Sequence, residues 1–142
     1  METIGTTHGA DVFRRVIEEG FNRGNFDAWD DCLPEQFIEH QYGLPATREG
    51  FKRSIAGLRR AVPDPHLTID DLVTLGDMVW ARMTARGTLL GFPPTGKSFA
   101  ITVIDVCRID GDRIVEHWGV PDRFALLDQL GMLPHPPAPT AG

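Results

Sequence analysis

The sequence predicts an α+β fold: a cone-shaped barrel in which helices pack on a strongly curved, mainly antiparallel sheet. Three observations carry this reading. Up to Val62, apolar residues recur at the three-and-four spacing of amphipathic helices. From His66 onward the pattern changes to long strand-like segments. Tight-turn sequences, Gly76-Asp77 and Asp110-Gly111-Asp112, separate neighbouring segments and predict antiparallel hairpins. Helices first and a meander of strands afterwards place the helices on one face of a bent sheet, whose part-closed interior is a natural pocket.

The elements follow in order. Val12, Phe13, Val16, Ile17, Gly20 and Phe21 form the buried stripe of a helix over 10–22, with Arg14, Arg15, Glu18 and Glu19 opposite. Asn22-Arg23-Gly24-Asn25 breaks it, and a short helix over 26–33 starts behind Asn25 as cap, with Pro34 stopping it. Residues 37–40 read as extended, followed by a loop over 41–45 with Gly43 and Pro45 as turn residues. Thr47 caps a third helix whose stripe is Phe51, Ile55, Leu58 and Val62, ended by Pro63 and Pro65. Strands are predicted over 66–75, 78–90, 97–109 and 113–120, with a wider loop over 92–96 leaning over the pocket rim. Pro121 suits the first position of a last helix that Gly131 closes. One domain is expected over 1–133, and the proline-rich 134–142 is expected to be a flexible tail.

Composition narrows the function. The net charge of −6 and pI of about 5.2 repel phosphate backbones and anionic membranes, which argues against nucleic acid as a partner. No apolar run is long enough to span a bilayer and no leader-like segment opens the chain, so a cytoplasmic location without membrane association is expected. Cys32 and Cys107 lie far apart and form no CxxC pattern; both read as reduced, buried thiols. Motifs for zinc proteolysis, phosphate-binding loops, dinucleotide binding and serine hydrolysis are absent. Metal binding is weakly supported by the residues.

Strand alternation then singles out chemistry. Phe99, Ile101, Val103, Asp105 and Cys107 share one face, apolar apart from a single carboxylate, where a charge is costly without a partner. A hairpin turning at Asp110-Gly111-Asp112 sets His117 directly opposite Asp105. Val115 and Gly119 share the face of His117, while Ile114, Glu116 and Trp118 take the other. A buried carboxylate beside an imidazole fixes its tautomer and raises its pKa, which suits general acid or base catalysis. The same pair also reads as a structural tie between two strands. His40 and Tyr42 are candidates for the pocket mouth, each with a plain reading as an exposed loop side chain. His8, His66 and His135 read as solvated.

Several stretches together carry a resemblance: Phe21-Asn22-Arg23-Gly24-Asn25-Phe26-Asp27, Ala85-Arg86-Gly87-Thr88, Gly91-Phe92-Pro93-Pro94-Thr95-Gly96-Lys97, Asp110 through Trp118, and Leu127-Asp128-Gln129-Leu130-Gly131. In order and spacing the chain resembles the SnoaL-like polyketide cyclases and ester cyclases, a branch of the nuclear transport factor 2-like superfamily. The resemblance implies a cone-shaped barrel, no cofactor, dimers through the outer sheet face, and acid/base-assisted ring closure of a polyketide or related secondary metabolite. In the founding aldol cyclases an aspartate two residues after the last-strand histidine is the acid/base. That histidine resembles His117, so the aspartate's place is held here by Gly119, and Asp105 falls where the founding family has a second histidine.

The expected site therefore has Asp105 and His117 as catalytic residues. Phe21, Phe37, Phe51, Met83, Phe92, Ile101, Val103 and Gly119, with His40 and Tyr42, are expected to bind a small apolar or polyketide-like substrate. The leading reading is a cofactor-independent cyclase or isomerase. Its rivals are a non-catalytic carrier of small molecules and an epoxide-opening hydrolase. The outer face, with Trp80, Arg82, Thr84, Arg86, Ile104, Val106, Ile114 and Trp118, mixes apolar groups with arginine and predicts a homodimer.

Overall fold

The structure is a computed structural model that describes residues 7–91 and 94–134. A helix α1 (Thr7–Arg14) runs directly into a π-helical stretch (Arg15–Asn22), followed by α2 (Ala28–Cys32), β1 (Ile38–Glu39) and α3 (Arg48–Ala61). The long strands are β2 (His66–Leu75), β3 (Met78–Thr88), β4 (Ser98–Asp110) and β5 (Arg113–Pro121), and α4 (Arg123–Gln129) follows. One sheet holds all five strands in the order β1-β5-β4-β3-β2. The contacts among β2 to β5 are antiparallel; β1 alone joins in parallel, beside β5. This is the expected α+β arrangement, with helices on the inner face of a mainly antiparallel sheet.

Local chemistry explains most boundaries. Thr47 is extended and its Oγ1 accepts from the Gly50 N–H at 3.1 Å, opening α3 as its cap. Gly76 and Gly111 take φ of +58° and +60° in the two hairpin turns, a region that favours glycine. Pro121 does not open α4: it ends β5, and Asp122 caps the helix by accepting from Ala125 N–H at 3.0 Å. The second helix is shorter than expected and lacks an Asn25 side-chain cap, because backbone turns from Asn25 to Asp30 precede and enter it.

The π-helical widening of the first helix has a visible cause. Gly20 presses on the Trp29 indole, leaving no room for a Cβ. Trp29 Nε1–H donates to the Val16 carbonyl at 3.1 Å, so the indole fastens α2 to the widened turn. Trp29 is wholly buried and lies in the main core with Phe13, Ile17, Val79, Met83, Cys107 and Ile109.

Two single-residue shifts separate the β4–β5 register from the expected one. The turn has two residues at its tip, pairing Asp110 with Arg113. A bulge then inserts Val115 opposite the Arg108–Ile109 junction. The result pairs Cys107 with His117 and Asp105 with Gly119. Because of the bulge Ile114 turns inward, only 3% exposed, and leaves the outer face on which alternation had placed it. The tail beyond Pro134, including His135, and Phe92 lie outside the described residues.

Candidate active site

A cavity of about 260 Å³ opens between the helices and the concave face of the sheet. Its wall is apolar over most of its extent: Phe13, Ile17, Phe21 and Trp29 from the first two helices, Phe51 and Ile55 from α3, Phe99, Ile101 and Val103 from β4. Phe37 completes this wall. Polar residues line it in two places: His66 and Arg86, cross-strand partners on β2 and β3 and both exposed, so that His66, expected to be solvated, also borders the cavity, and a buried corner where Glu39, Gln41, Asp105 and His117 meet. Pockets with a few convergent polar groups in an apolar wall are the usual form of small-molecule sites.

His117 is clamped between two buried carboxylates. Its Nδ1 stands 2.7 Å from Glu39 Oε1, and its Nε2 stands 3.3 Å from Asp105 Oδ2. The Glu39 side chain is 2% exposed and that of His117 15%. The Asp105 contact is longer and less well aligned than the Glu39 hydrogen bond, so Glu39 sets the ring's orientation. Glu39 is itself held, Oε1 also accepting from the Gln41 backbone N–H at 2.8 Å. Burial opposes charge on His117, but contact with Asp105 and Glu39 more than reverses this and raises its pKa to about 9. His117 is thus an imidazolium at neutral pH, with both ring nitrogens donating.

Among the described residues, Asp105 is the one polar or charged residue buried as a whole, backbone included, 8% exposed. Its Oδ2 faces His117, while Oδ1 is buried without a hydrogen-bond partner among the described residues. Gly119, directly across the ladder, lets the Gln41 side chain come in close: a Cβ there would stand 2.9 Å from Asp105 Oδ1 and collide with Gln41 Oε1. Behind the pair, burial pushes the Cys107 thiol well above its usual range, helped by the charges of Asp105 and Glu39. That thiol is therefore a packing group rather than a nucleophile. Among the described residues, no cluster of three or more His, Cys, Asp or Glu side chains is arranged to hold a metal ion.

The structure brings together Asp105, His117, Phe21, Phe37, Phe51, Ile101 and Val103 on the cavity, with Gly119 against the polar corner. Three expected contacts fall elsewhere. His40 points outward, stacked on Trp118 at 4.6 Å and bonded to Glu116 Oε2 at 2.8 Å, because alternation along β1 gives Glu39 the inner side. Tyr42 is 86% exposed beside Arg123, which approaches its ring and donates to its carbonyl. Met83 is fully buried in the core and does not line the cavity. Phe92 lies outside the described residues. Glu39 and Gln41 are the residues that sequence reasoning missed. The signal for Glu39 was a lone acid in the extended stretch 37–40, but only the parallel pairing of Glu39 with His117 reveals its partner.

The sequence profile of the family described as SnoaL-like polyketide cyclase matches residues 11–130. The chain belongs to that family. Solved structures agree with a SnoaL-like fold. TsrD from Streptomyces laurentii is 30% identical, with a TM-score of 0.79 over 89% of this chain and 97% of its own. IdmH from Streptomyces antibioticus is 32% identical, with a TM-score of 0.76 over 87% of this chain and 98% of its own. A SnoaL-like polyketide cyclase from Agrobacterium tumefaciens, 19% identical, shares the fold at a TM-score of 0.73 over 87% of this chain and 98% of its own. No curated protein matches the chain.

Proposed function

We propose that this SnoaL-like protein is a cyclase or isomerase that folds a polyketide or related intermediate in its cavity and moves a proton with Asp105, without a cofactor. The observation that carries the reading is Asp105 Oδ1, a buried carboxylate oxygen of a cavity-lining residue with no hydrogen-bond partner among the described residues. In the founding cyclases the carboxylate stands at the place of Gly119; here the residue paired with Gly119 supplies it from the neighbouring strand.

His117, already protonated, is a poor base. Its role is to hold Asp105 by Oδ2 and to place a positive charge where an enolate or alkoxide develops, which counts for more in an apolar cavity than in water. Asp105 takes a proton from carbon beside a substrate carbonyl through Oδ1. The resulting carbanion attacks an electrophilic carbon of the same molecule, the new bond forms, and Asp105 returns the proton to the oxygen that gains charge. Proton transfer of this kind contributes about 10²–10⁴-fold. Holding both ends of one chain together contributes up to about 7–11 kcal/mol, so a strong nucleophile is unnecessary.

The test is turnover of linear poly-β-ketone substrates, followed by disappearance of the open chain and appearance of a cyclic isomer of unchanged mass. Asp105→Asn is expected to lower kcat by about 10²–10⁴-fold. The almost wholly apolar cavity wall favours a second reading, a carrier of small molecules. Full ligand binding with no turnover by the unmodified chain would establish that reading and remove the first.

The outer sheet face supports a homodimer. Val73, Trp80, Val106 and Trp118 are successive cross-strand partners and form an apolar row from β2 to β5. Trp80 is half exposed, and Ile104 and Val120 extend the patch along the strands. Among the described residues, no helix is long and apolar enough to cross a membrane.

A further inference from the structure

Two side-chain groups meet over Gly119 and leave their hydrogen-bonding capacity unused. Asp105 Oδ1 is buried with no hydrogen-bond partner among the described residues. Gln41 reaches in from the loop after β1, and its side-chain oxygen lies against the Gly119 backbone, where a Cβ could not fit. Its backbone is fastened, the N–H donating to Glu39 Oε1 at 2.8 Å and the carbonyl accepting from Leu44 N–H at 3.2 Å. The amide is therefore presented from a fixed point. Both side chains line the cavity; of their neighbours in the wall, Glu39 and His117 are engaged with each other, and Leu44, Val103 and Pro121 carry no side-chain hydrogen-bonding group.

A buried acceptor without a donor is costly unless something supplies one. An amide that can turn presents either an acceptor or a donor. We propose that Asp105 Oδ1 and the Gln41 amide form a hydroxyl subsite seated on Gly119, which takes a phenolic, enolic or alcoholic O–H of the ligand. The hydroxyl donates to Asp105 Oδ1, and its oxygen accepts from the Gln41 amide N–H. Gly119 is the seat because any side chain there would displace Gln41 and crowd Asp105 Oδ1. The subsite selects ligands with an O–H at one end of an apolar body, and rejects the matching ether or hydrocarbon, which leaves Oδ1 unpaired. It rests on the reading of this cavity as the substrate site, but not on catalysis.

The probes are naphthol, its methyl ether and naphthalene, with binding to the full chain measured by calorimetry or ligand-observed NMR. Naphthol is expected to bind about tenfold tighter than the ether, one hydrogen bond's worth of preference. Gln41→Leu and Gly119→Ala are expected to reduce that ratio to about threefold or less, while naphthalene binding is retained. Asp105→Asn is expected to weaken it as well, since a neutral acceptor replaces a charged one. Thermal melts of each variant identify any that fail to fold, and Gln41→Leu, a change in a loop, keeps the test available in that case. An unchanged ratio in Gln41→Leu, no preference in the unmodified chain, or no binding of any probe up to its solubility limit overturns the subsite. Selective naphthol binding by a chain that cyclises nothing supports the subsite and overturns the cyclase reading, so the two fail separately.

Discussion

His117 carries its charge through the neutral range because two carboxylates face it, and this makes its proton a measurable part of the fold. In an unfolded chain the imidazole titrates near about 6.5; in the folded protein it is raised to about 9. The folded state binds the proton more tightly, so the stabilisation is fully present below about pH 6.5 and is lost as pH rises through about 9, on the order of 3 kcal/mol in all. The His117 ring resonances should titrate near that alkaline value by NMR. In Glu39→Gln they should titrate at lower pH, and the loss of stability between neutral and alkaline pH should shrink. Unchanged titration in that variant would mean that Glu39 does not hold the charge. At this scale the sequence announced Asp105 well, as a lone carboxylate on an otherwise apolar strand face. Glu39 was illegible: it pairs with a residue 78 positions away, and nothing local marks a two-residue parallel strand.

At the scale of elements, the β4–β5 hairpin shows how a register can be misplaced while the site survives. A one-residue slip turns every side chain of a strand to the opposite face. Here the two-residue turn and the Val115 bulge each contribute one, and together they return His117 to the inner face, diagonal to Asp105 rather than opposite. Alternation was therefore right about the face of His117 and wrong about that of Ile114, which lies on the turn side of the bulge. The widened first helix is the other element that periodicity could not show, since its apolar stripe reads the same in α and π geometry. Its dependence on Gly20 can be measured. Gly20→Ala should force the Trp29 indole off its bond to Val16 and destabilise the protein by about 1–3 kcal/mol in urea unfolding. An unchanged midpoint would show that the turn accommodates the methyl.

At the scale of the molecule, the sheet has two faces with separate duties: the concave one with the cavity and its polar corner, the other with an apolar row. Sequence patterning revealed this division because long strands alternate cleanly, and turn residues delimited each hairpin. It did not reveal which large apolar groups reach the cavity, since Met83 and Phe51 are equally apolar in sequence and only packing in three dimensions separates core from wall. The outer row makes the association state the natural test. Light scattering at micromolar concentration should give a dimer, and Trp80→Glu should yield a folded monomer, because a charge would sit in the centre of the row. A monomer in the unmodified chain contradicts the assignment of this face.

Cys107 sits directly behind the polar corner, and Cys32 lies in the core beside Trp29; both are almost entirely shielded from solvent. Alkylating reagents can reach neither while the wall is intact, so the tempo of thiol labelling becomes a clock for its spontaneous breathing. If a bound guest slows that clock at Cys107 more than at Cys32, the carboxylate-lined corner is what the guest holds shut.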